Sequence, residues 1–439
     1  MKDTIFAPAS GSGRAGITIY RLSGPATASV IGELSGAPTP PARRAVLRHL
    51  RAADGDLIDQ GLVLWFPGPA SFTGEDVAEL HLHGGRAVAV ALTECLMGFG
   101  LRPAEAGEFS RRAFEAGKMD LTQAEAIADL VAADTAAQRR QALRQMDGAL
   151  GALYEDWRQR LLRAQAHLEA AIDFADEDLP DGIESEARRS LVLVQREIAA
   201  HLADGHRGEN LREGVRVVLL GPANAGKSTI FNCLAGRDAA IVSESPGTTR
   251  DVIEIQLELG GLPALLVDTA GLRDSDEPVE KEGVRRARVQ AEIADIRVLV
   301  LDGADWPAEQ AADRVASPNL VLLNKVDLIA GQTPDRFRGA PLLAISALTG
   351  QGVPCLRQAL TALVAENCAP GAAPALTRGR HRIALQEAEQ GLRRAQQETL
   401  LELVAEDVRG AVRAVGCITG RVDVEAMLDV VFREFCIGK

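Results

Sequence analysis

The chain has 439 residues, which is more than one ordinary domain needs, so we expect two to four domains. Its residues are 46% hydrophobic and 25% charged, as in a soluble globular protein, and no apolar run approaches the roughly 20 residues of a membrane span. The formal net charge of −13 argues against a generic nucleic-acid coat, which would be basic, so any RNA partner must meet a local patch.

Cysteine usage and the first residues bear on the compartment. Six cysteines are scattered along the chain, at positions 95, 233, 355, 368, 417 and 436, and none forms a C-x-x-C pair. This pattern indicates a reducing compartment and no zinc site. The start, MKDTIFAPASGSGRAG, lacks the charged and then apolar pattern of a signal peptide. We therefore expect a cytoplasmic protein with no membrane partner.

Residues 1–118 alternate short strand-like runs, such as GITIYRLSG and GLVLWFPG, with Gly/Pro turns and two helical patches. This mixture predicts a small α+β domain. Within it, HLHGG places His81 and His83 two residues apart, as metal ligands can be, but no third ligand is near in the sequence. We interpret this segment as the end of a strand that enters a glycine turn, rather than as a metal site.

The middle of the chain changes character twice. From 119 to 211 it is rich in Ala, Leu, Glu and Arg, and the apolar spacing predicts several long helices, which the charged run DFADEDLPDG interrupts. From 212 to 372 six strand-like runs alternate with helical segments, which predicts an α/β domain. The six runs are VRVVLLG, VIEIQLEL, ALLVDTAG, RVLVLDG, LVLLNKVD and PLLAISA.

Helical periodicity returns in residues 373–439. Each helical stretch is amphipathic and lacks a core of its own, so the simplest arrangement packs the two stretches together. The predicted fold class is then multidomain, α/β and α+β, with the α/β domain inserted between two halves of a discontinuous helical domain. The alternative is a serial string of four domains, whose last part, roughly 60 residues, is short for folding unaided.

A phosphate-binding loop is predicted at residues 221–228. GPANAGKS fits the pattern G-x-x-x-x-G-K-S and lies between a predicted strand and the predicted helix STIFNCLAG, which is the context this motif requires. The backbone N–H groups of the loop are expected to hold phosphates. Lys227 would reach the β and γ oxygens, and Ser228 would bind Mg²⁺.

Later motifs predict the base. In NKVD the Asp327 carboxylate can accept hydrogen bonds from the N1–H and exocyclic amine of guanine, which adenine cannot offer, while Asn324 braces the base. AISALTG supplies the backbone that approaches the guanine oxygen. With DTAG and IVSESPGTTRD, these motifs indicate GTP. The predicted GTP-binding residues are Asn224, Ala225, Gly226, Lys227, Ser228, Thr229, Ser243, Glu244, Ser245, Pro246, Gly247, Thr248, Thr249, Asp268, Thr269, Ala270, Gly271, Asn324, Lys325, Asp327, Ser346 and Ala347.

One element of Ras-type GTPases is missing. Those enzymes place a Gln after the Gly of this DTAG-like turn to orient the attacking water, and here the residue is Leu272, whose side chain forms no hydrogen bond. Thr249 is placed to bind Mg²⁺ and the γ-phosphate. Arg250 and Arg273 are candidates for stabilising transition-state charge. Alternatively, the amide oxygen of Asn224 can ligate a monovalent cation beside the phosphates.

GxxNAGKS, GTTRD, DTAGLR, NKVD and the ending FCIGK together resemble the MnmE (TrmE) family of GTPases that modify the wobble uridine of tRNA. LWFPGPASFTGEDVAELHLHGG and AGEFSRRAFEAGKMDLTQAEAIADL resemble that family too, so the resemblance covers essentially the whole chain. It implies a tetrahydrofolate-binding and dimerisation domain over 1–118, a helical domain over 119–211 and 373–439, and an inserted Ras-like P-loop GTPase domain over 212–372.

The resemblance also implies how hydrolysis proceeds without the glutamine. In this family K⁺ sits where an arginine finger would act, and hard oxygen ligands suit it. The implied water-orienting residue is Glu280, twelve residues after Asp268. From the residues alone, Glu280 would be interpreted as a solvated acid at a helix start. The implied K⁺ ligands are Asn224, Ser243, Ser245 and Thr248.

A second site is implied for the one-carbon donor. Glu79 can pair with the amine and amide edge of a pterin, whereas cationic side chains suit the glutamate tail or formyl oxygen. The alternatives are surface ion pairs for Arg21 and Lys118 and a frayed terminus for Lys439. Cys436 lies near this site in the family and is a candidate thiol nucleophile or proton donor. The implied folate-binding residues are Arg21, Glu79, Lys118 and Lys439.

Two functions remain open. The resemblance implies a K⁺- and Mg²⁺-dependent GTPase that works with the FAD-dependent protein MnmG. It would add an aminomethyl or carboxymethylaminomethyl group to C5 of the tRNA wobble uridine, with carbon from 5-formyl- or 5,10-methylene-tetrahydrofolate. The implied assembly is a homodimer that forms a heterotetramer with MnmG. The second hypothesis is a K⁺-activated ribosome-assembly or signalling GTPase without modification chemistry, because such proteins share the motifs of residues 212–372.

Overall fold

A computed structural model describes the chain as two compact units. Unit 1 comprises residues 1–128, 145–158 and 415–439, and unit 2 comprises residues 129–144 and 159–414. The residues that the structure describes are 3–11, 13–174, 182–222, 224–238, 253–268, 289–306, 317–329, 333–368, 374–422, 425–433, 435 and 437–438.

The described strands and helices are numbered here in chain order. The strands are β1 (Ile5–Pro8), β2 (Ala15–Ser23), β3 (Val46–Arg51), β4 (Leu57–Phe66), β5 (Val77–Gly84), β6 (Arg102–Pro103), β7 (Val215–Leu220), β8 (Ile253–Leu259), β9 (Leu262–Asp268), β10 (Ile296–Asp302), β11 (Leu320–Asn324), β12 (Arg336–Phe337) and β13 (Ala340–Ala344). The helices are α1 (Thr27–Ser35), α2 (Arg86–Gly98), α3 (Glu108–Glu115), α4 (Leu121–Ala132), α5 (Ala136–Met146), α6 (Ala149–Asp173), α7 (Ile183–Leu202), α8 (Arg207–Glu213), α9 (Lys227–Asp238), α10 (Val353–Cys368), α11 (Gly379–Gln397), α12 (Leu401–Thr419) and α13 (Glu425–Arg433).

Unit 1 contains a six-stranded sheet in the order β3-β4-β5-β2-β1-β6. All neighbouring strands are antiparallel except β1 and β6, which are parallel. The alternation predicted in GITIYRLSG and GLVLWFPG is confirmed, because these runs form β2 and most of β4. His81 and His83 lie near the end of β5.

One face of this sheet is covered by helices that bury its apolar side chains. Leu22 and Leu80 from the strands are fully buried with Ile31 of α1 and Leu96 of α2. The sequence predicted two helical patches in residues 1–118, and the described part of this segment contains three helices, α1, α2 and α3. The eight-residue segment EFSRRAFE is mostly polar, but Phe109 and Ala113 are fully buried on one side of it.

The last part of the chain belongs to unit 1. Phe432 of α13 packs with Leu121 and Ala124 of α4 in a small apolar cluster. Beyond α13, Ile437 forms an antiparallel bridge with Ala106, so the chain end lies beside the start of α3. The sequence predicted helix to the end, and this prediction is wrong for Ile437 and Gly438.

Unit 2 contains a seven-stranded sheet in the order β12-β13-β11-β10-β7-β9-β8. The five inner strands are parallel, and the two edge strands β8 and β12 are antiparallel to their neighbours. All six strand predictions for residues 212–372 are confirmed. The runs of the inner strands are mostly apolar, as is typical of parallel sheets covered on both faces, whereas the edge strand β8 alternates apolar and polar residues.

Helices α9 and α10 contribute to the core of unit 2. Ile230 and Leu234 of α9 and Leu360 of α10 pack on Leu219 and Leu266 of the sheet. Ala137 of α5 belongs to the same apolar cluster. The helical predictions on either side of the α/β region are also confirmed, since α7 and α11 pack together and share a hydrogen bond from Gln195 to Glu389.

The chain segments that lead into and out of the unit 2 sheet meet at one carboxylate. Asp129 of α4 accepts a hydrogen bond from Arg212 of α8 at 2.9 Å and one from Arg378 at 2.7 Å, both on Oδ1. Gly208 of α8 lies so close to the returning segment that a Cβ there would be 2.2 Å from the carbonyl oxygen of Leu376. Arg212 precedes β7 and Arg378 precedes α11, so both connections are held in one place.

No helix in the described part of the chain is long and apolar enough to cross a membrane. The domain boundaries 118/119, 211/212 and 372/373 remain a prediction.

Candidate functional site

The predicted nucleotide motifs of unit 2 lie at one edge of its sheet. Because the inner strands are parallel, their carboxyl ends meet at the same edge, where α/β sheets bind ligands. The loop at 221–228 follows β7, Asp268 ends β9, and Asn324 ends β11. Ser346 and Ala347 follow β13 two residues later. The sheet therefore brings together motifs that are up to 126 residues apart in the sequence.

Two glycines of the loop occupy positions that a side chain cannot share. Gly221 has φ 142°, and a Cβ there would be 2.2 Å from the carbonyl oxygen of Val300. Gly226 has φ 90°, and its Cβ would be 2.2 Å from Nδ2 of Asn324. Asn224 between them also has a positive φ, 62°, and its side chain is exposed. Both glycines are thus required by their positive φ angles and by the close approach of Val300 and Asn324.

Lys227 begins α9 and is buried beneath the loop. Its ammonium group donates hydrogen bonds to the carbonyl oxygens of Gly221 at 3.0 Å and Pro222 at 2.8 Å. Burial lowers the pKa of Lys227, and the carboxylate of Asp268 opposes that shift. The loop therefore holds a positive charge in place, ready for anionic oxygens.

Part of the predicted Mg²⁺ site lies among the described residues. Ser228 and Thr229 are exposed in the first turn of α9, with their backbone N–H groups at a helix N-terminus, a position that favours anions. Asp268 is 2% exposed at the end of β9, beside β7 in the sheet. A hydroxyl and a carboxylate are the hard oxygen ligands that Mg²⁺ prefers. Among the residues the structure describes, no cluster of three or more His, Cys, Asp or Glu side chains is arranged as a metal site.

Asn324 connects the loop at 221–228 to the segment that contains Ala347. Its Nδ2 donates to the carbonyl oxygen of Ala225 at 2.9 Å, and its Oδ1 accepts from the N–H of Ala347 at 3.0 Å. The side chain is 2% exposed, so both bonds are shielded from water. In this structure Asn324 braces two loops of the protein.

The residue after Asn324 is held in a left-handed conformation. Lys325 has φ 63°, and its Nζ pairs with Oδ2 of Asp302 at 2.6 Å. Asp302 was not predicted as a site residue, but it is the last residue of β10, and an acid at the end of a buried strand is a sequence signal for this edge of the sheet. Asp327 follows in a short 3-10 helix, Val326–Leu328, and its carboxylate is exposed.

The segment after β13, residues 345–351, forms a turn at the same edge of the unit 2 sheet. Ser346 is fully buried, and its N–H donates to the carbonyl oxygen of Gln351 at 2.9 Å. Its Oγ accepts from the N–H of Thr349 at 3.2 Å. Ser346 thus stabilises the turn that carries Ala347, whose position Asn324 fixes.

A second group of predicted residues lies in unit 1. Arg21 of β2 and Glu79 of β5 are direct partners in the antiparallel register. Arg21 donates to Oε1 of Glu79 from Nη2 at 3.0 Å and from Nε at 3.3 Å. The guanidinium also lies over the rings of Phe72 at 5.5 Å and Phe109 at 5.8 Å, and such cation–π contacts hold its plane.

This ion pair lines an open cavity of about 460 Å³. Arg43, Phe66, Phe72 and Met146 also line it, so the walls combine aromatic rings with charged groups. Lys118 is exposed, and its Cε is close to Gly74, where a Cβ would lie 3.2 Å from it.

The two histidines of β5 have acidic neighbours. His81 is 3.5 Å from Oε2 of Glu79, and His83 Nδ1 is 2.9 Å from Oδ1 of Asp59. Two separate His–carboxylate pairs on a strand agree with the interpretation of HLHGG as a strand end.

Several predicted residues lie outside the described part of the chain. They are Ser243, Glu244, Ser245, Pro246, Gly247, Thr248, Thr249, Arg250, Thr269, Ala270, Gly271, Arg273, Glu280, Cys436 and Lys439.

Comparisons with known proteins bear on this arrangement. Residues 4–118 match the family model for the GTP-binding protein TrmE N-terminus, and residues 121–436 match the model for the MnmE helical domain. Two curated proteins named tRNA modification GTPase MnmE match over their whole length. The protein of Paramagnetospirillum magneticum is 56% identical over 100% of both chains, and that of Rhodospirillum rubrum is 51% identical over 100% of this chain and 99% of its own.

A third such protein, from Parvibaculum lavamentivorans, is 52% identical over 100% of both chains. The matches confirm the predicted fold class, a multidomain protein with α+β, helical and P-loop GTPase parts. With two family models covering nearly all of the sequence and relatives this similar along its full length, the chain belongs to the MnmE family of tRNA modification GTPases.

Proposed function

We propose that this protein is a GTP hydrolase that takes part in tRNA modification. The observation that carries the proposal is the meeting of the phosphate loop, Asn324 and Ala347 at one sheet edge, in a chain of this family. Phosphate, base and metal would then be bound by different strand ends of a single rigid sheet.

The described residues support distinct roles toward GTP. The N–H groups of the loop and of α9 would bind the β- and γ-phosphates, and Lys227 would turn from the two loop carbonyls to their oxygens. Asp327 would accept from the N1–H and exocyclic amine of guanine. Mg²⁺ would be held by Ser228 and Thr249 and would neutralise phosphate charge.

We also propose that K⁺ and Glu280 replace the missing glutamine. K⁺ would be held by Asn224, Ser243, Ser245 and Thr248, and Glu280 would orient the water. The exposed side chain and positive φ of Asn224 support this, since its amide oxygen is free to face a cation. In the test, K⁺ is exchanged for Na⁺ at equal ionic strength, and kcat for GTP should fall about tenfold or more.

The same assay checks the carboxylate. Glu280→Ala should lose hydrolysis while Glu277→Ala, three residues earlier in the same segment, keeps it. Equal rates in K⁺ and Na⁺ would refute the proposed role of K⁺. An active Glu280→Ala would refute the proposed role of Glu280.

The cavity of unit 1 is proposed to bind a one-carbon tetrahydrofolate, either 5-formyl or 5,10-methylene. The pairing of Arg21 with Glu79 beside aromatic walls supports this, because a pterin needs both hydrogen bonds and stacking. Lys118 and Lys439 would meet its anionic parts, and Cys436 would act near the transferred carbon. The protein would work in the cytoplasm as a homodimer and in a heterotetramer with MnmG, to give an aminomethyl or carboxymethylaminomethyl group at C5 of the wobble uridine.

A switch protein without modification chemistry is the second candidate. The match of residues 4–118 to the TrmE N-terminal model favours the first, because a nucleotide switch does not need that domain. Nucleoside analysis of wobble uridines in a strain lacking this gene distinguishes them. Loss of the C5 substituent supports modification, and an unchanged profile overturns it.

A further inference from the structure

Helix α5 is basic in an acidic protein. Its sequence, AAQRRQALRQM, contains three arginines and no acidic residue, whereas the whole chain has a formal net charge of −13. Arg139, Arg140 and Arg144 are all exposed, and Leu143 between them is 39% exposed. Arg140 and Arg144 are neighbours at i,i+4, and Arg139 lies about 100° around the axis from Arg140, so the three side chains occupy an arc of about 140°. We call Arg139, Arg140 and Arg144 the α5 arginines.

The opposite side of the helix is fixed to the protein. Ala137 is buried in the core of the unit 2 sheet, and Gln141 is 8% exposed. Gln138 donates from Nε2 to the carbonyl oxygen of Arg212 at 2.9 Å. The α5 arginines therefore stand on a helix that tertiary contacts hold in place.

Several arginines of unit 2 are paired with carboxylates, but within the described part of the chain the α5 arginines are not. Among the residues that the structure describes, none of the three forms an ion pair; Arg144 donates only to the side-chain oxygen of Gln141, at 3.2 Å. By contrast, Arg382 pairs with Asp204 and Glu209, and Arg160 pairs with Glu197. Three guanidinium groups on one exposed side repel one another, and an anionic partner would remove that repulsion.

We propose that the α5 arginines bind the phosphate backbone of an RNA. This inference rests on the proposed function, which supplies a tRNA as the partner. A guanidinium group matches the geometry of a phosphate with two parallel hydrogen bonds, and Arg140 and Arg144 lie one helical turn apart, about 6 Å along the axis. Phosphate contacts of this kind fix the position of an RNA without reading its sequence. An acidic chain needs such a patch, because the rest of its charge repels RNA.

The position of α5 adds a connection to the nucleotide site. Ala137 packs in the same cluster as Leu266 of β9, the strand that ends at Asp268. Gln138 of α5, Leu257 of β8 and Ala264 of β9 line the same small cavity, so the helix lies against the β8–β9 hairpin. An RNA bound to the α5 arginines would thus contact an element that shares its core with the GTPase sheet.

The test measures binding of unmodified tRNA to the full-length protein by fluorescence anisotropy over a range of KCl concentrations. The triple variant Arg139→Gln, Arg140→Gln and Arg144→Gln is compared with the wild type. The matched control is Arg189→Gln, Arg196→Gln and Arg207→Gln, which removes the same charge from three other exposed arginines of unit 2 without a described ion pair. Circular dichroism verifies that both variants are folded.

Each neutralised phosphate contributes about 0.7 to 0.9 to the slope of log affinity against log salt. We expect the α5 variant to bind more weakly and its slope to fall by roughly 2 to 3, while the control keeps the wild-type slope. An α5 variant with the wild-type slope, or an equal loss in both variants, overturns the inference and leaves the proposed function standing. Wild-type protein that does not bind tRNA also overturns it, whereas failure of the proposed function would be seen as unchanged wobble nucleosides.

Discussion

Asn324 donates a hydrogen bond from its side-chain amide to the carbonyl oxygen of Ala225 at 2.9 Å, across 99 residues of sequence. The other atom of the same amide accepts from the N–H of Ala347. One buried side chain thus sets the distance between the loop that would hold phosphates and the loop that would approach the base. Substrate affinity should depend on it even if Asn324 does not touch the nucleotide.

Asn324→Ala should weaken nucleotide binding. It leaves the buried carbonyl of Ala225 and the N–H of Ala347 without this partner, at about 1–3 kcal/mol for each unsatisfied group. We expect the Kd for GDP to rise about tenfold to a hundredfold, measured by fluorescence of a labelled analogue. Asn319→Ala is the control, because Asn319 accepts from the N–H of Arg297 at the opposite edge of the same sheet. Equal affinity in wild type and Asn324→Ala would contradict the bracing role.

Asp327→Asn should change the preferred base. The carboxylate only accepts hydrogen bonds, whereas an amide also donates, which suits the 2-oxo group of xanthine rather than the amine of guanine. GTP hydrolysis at low substrate should fall about a hundredfold, and XTP hydrolysis should rise. Asp305→Asn changes an exposed acid after β10 and should alter neither. An unchanged ratio of GTP to XTP hydrolysis in Asp327→Asn would contradict the assignment of Asp327 to guanine recognition.

Glu79→Gln should weaken binding of 5-formyltetrahydrofolate about tenfold or more, because a charged acceptor is lost and Arg21 loses its ionic partner. Isothermal titration calorimetry measures the effect. The matched control is Asp59→Asn. Asp59 lies on β4 and pairs with His83, which is near the end of β5, the strand that contains Glu79. If both variants bind the folate as the wild type does, the cavity of unit 1 is not its site.

Unit 1 should lose local stability in acid around α3. Arg112 is 6% exposed and hydrogen bonds to Asp3, Glu75 and Glu108, while Arg102 also pairs with Glu108. Burial of Glu108 opposes its ionisation, but hydrogen bonds from Arg102, from the Glu105 N–H and from Arg112 outweigh it and lower the pKa of Glu108. Because the folded state has the lower pKa, the contribution is complete above the ordinary value of 4.5 and is lost as the pH falls through the folded value.

Hydrogen exchange of the peptide spanning α3 checks this. After correction for the intrinsic rate, protection in the wild type should decrease as the pH falls below 4.5. Protection in Glu108→Gln should decrease less, because glutamine carries no charge that acid can remove. Glu115→Gln, in the last turn of the same helix, should behave as the wild type. A pH profile for Glu108→Gln that follows the wild type would show that other groups control the helix.

The sequence predicted well where one local pattern decides the structure. The inner strands of unit 2 are mostly apolar, and Gly221 and Gly226 mark the loop because only glycine fits their backbone. The pairs Lys325–Asp302 and Asn324–Ala225 could not be predicted, because each joins residues that only the finished sheet brings together.

The chain end shows the same limit. Ile437 pairs with Ala106 across 331 residues, and no helical periodicity can signal a single bridge of that kind. Helix α3 buries Phe109 and Ala113, but the contact of its Arg112 with Glu75 could not be predicted, because the two residues are 37 positions apart in the sequence.

The hydrogen bonds of Asp129 with both Arg212 and Arg378 place the two ends of residues 213–377 close together. A stretch of chain whose two ends meet can be cut out and the ends rejoined by a short peptide, because closing a small loop costs little conformational entropy. Residues 213–377 satisfy that condition, since their flanking arginines contact the same carboxylate oxygen. Residues 213–377 could therefore be transferred to another protein, or removed, without shifting the remaining helices relative to one another.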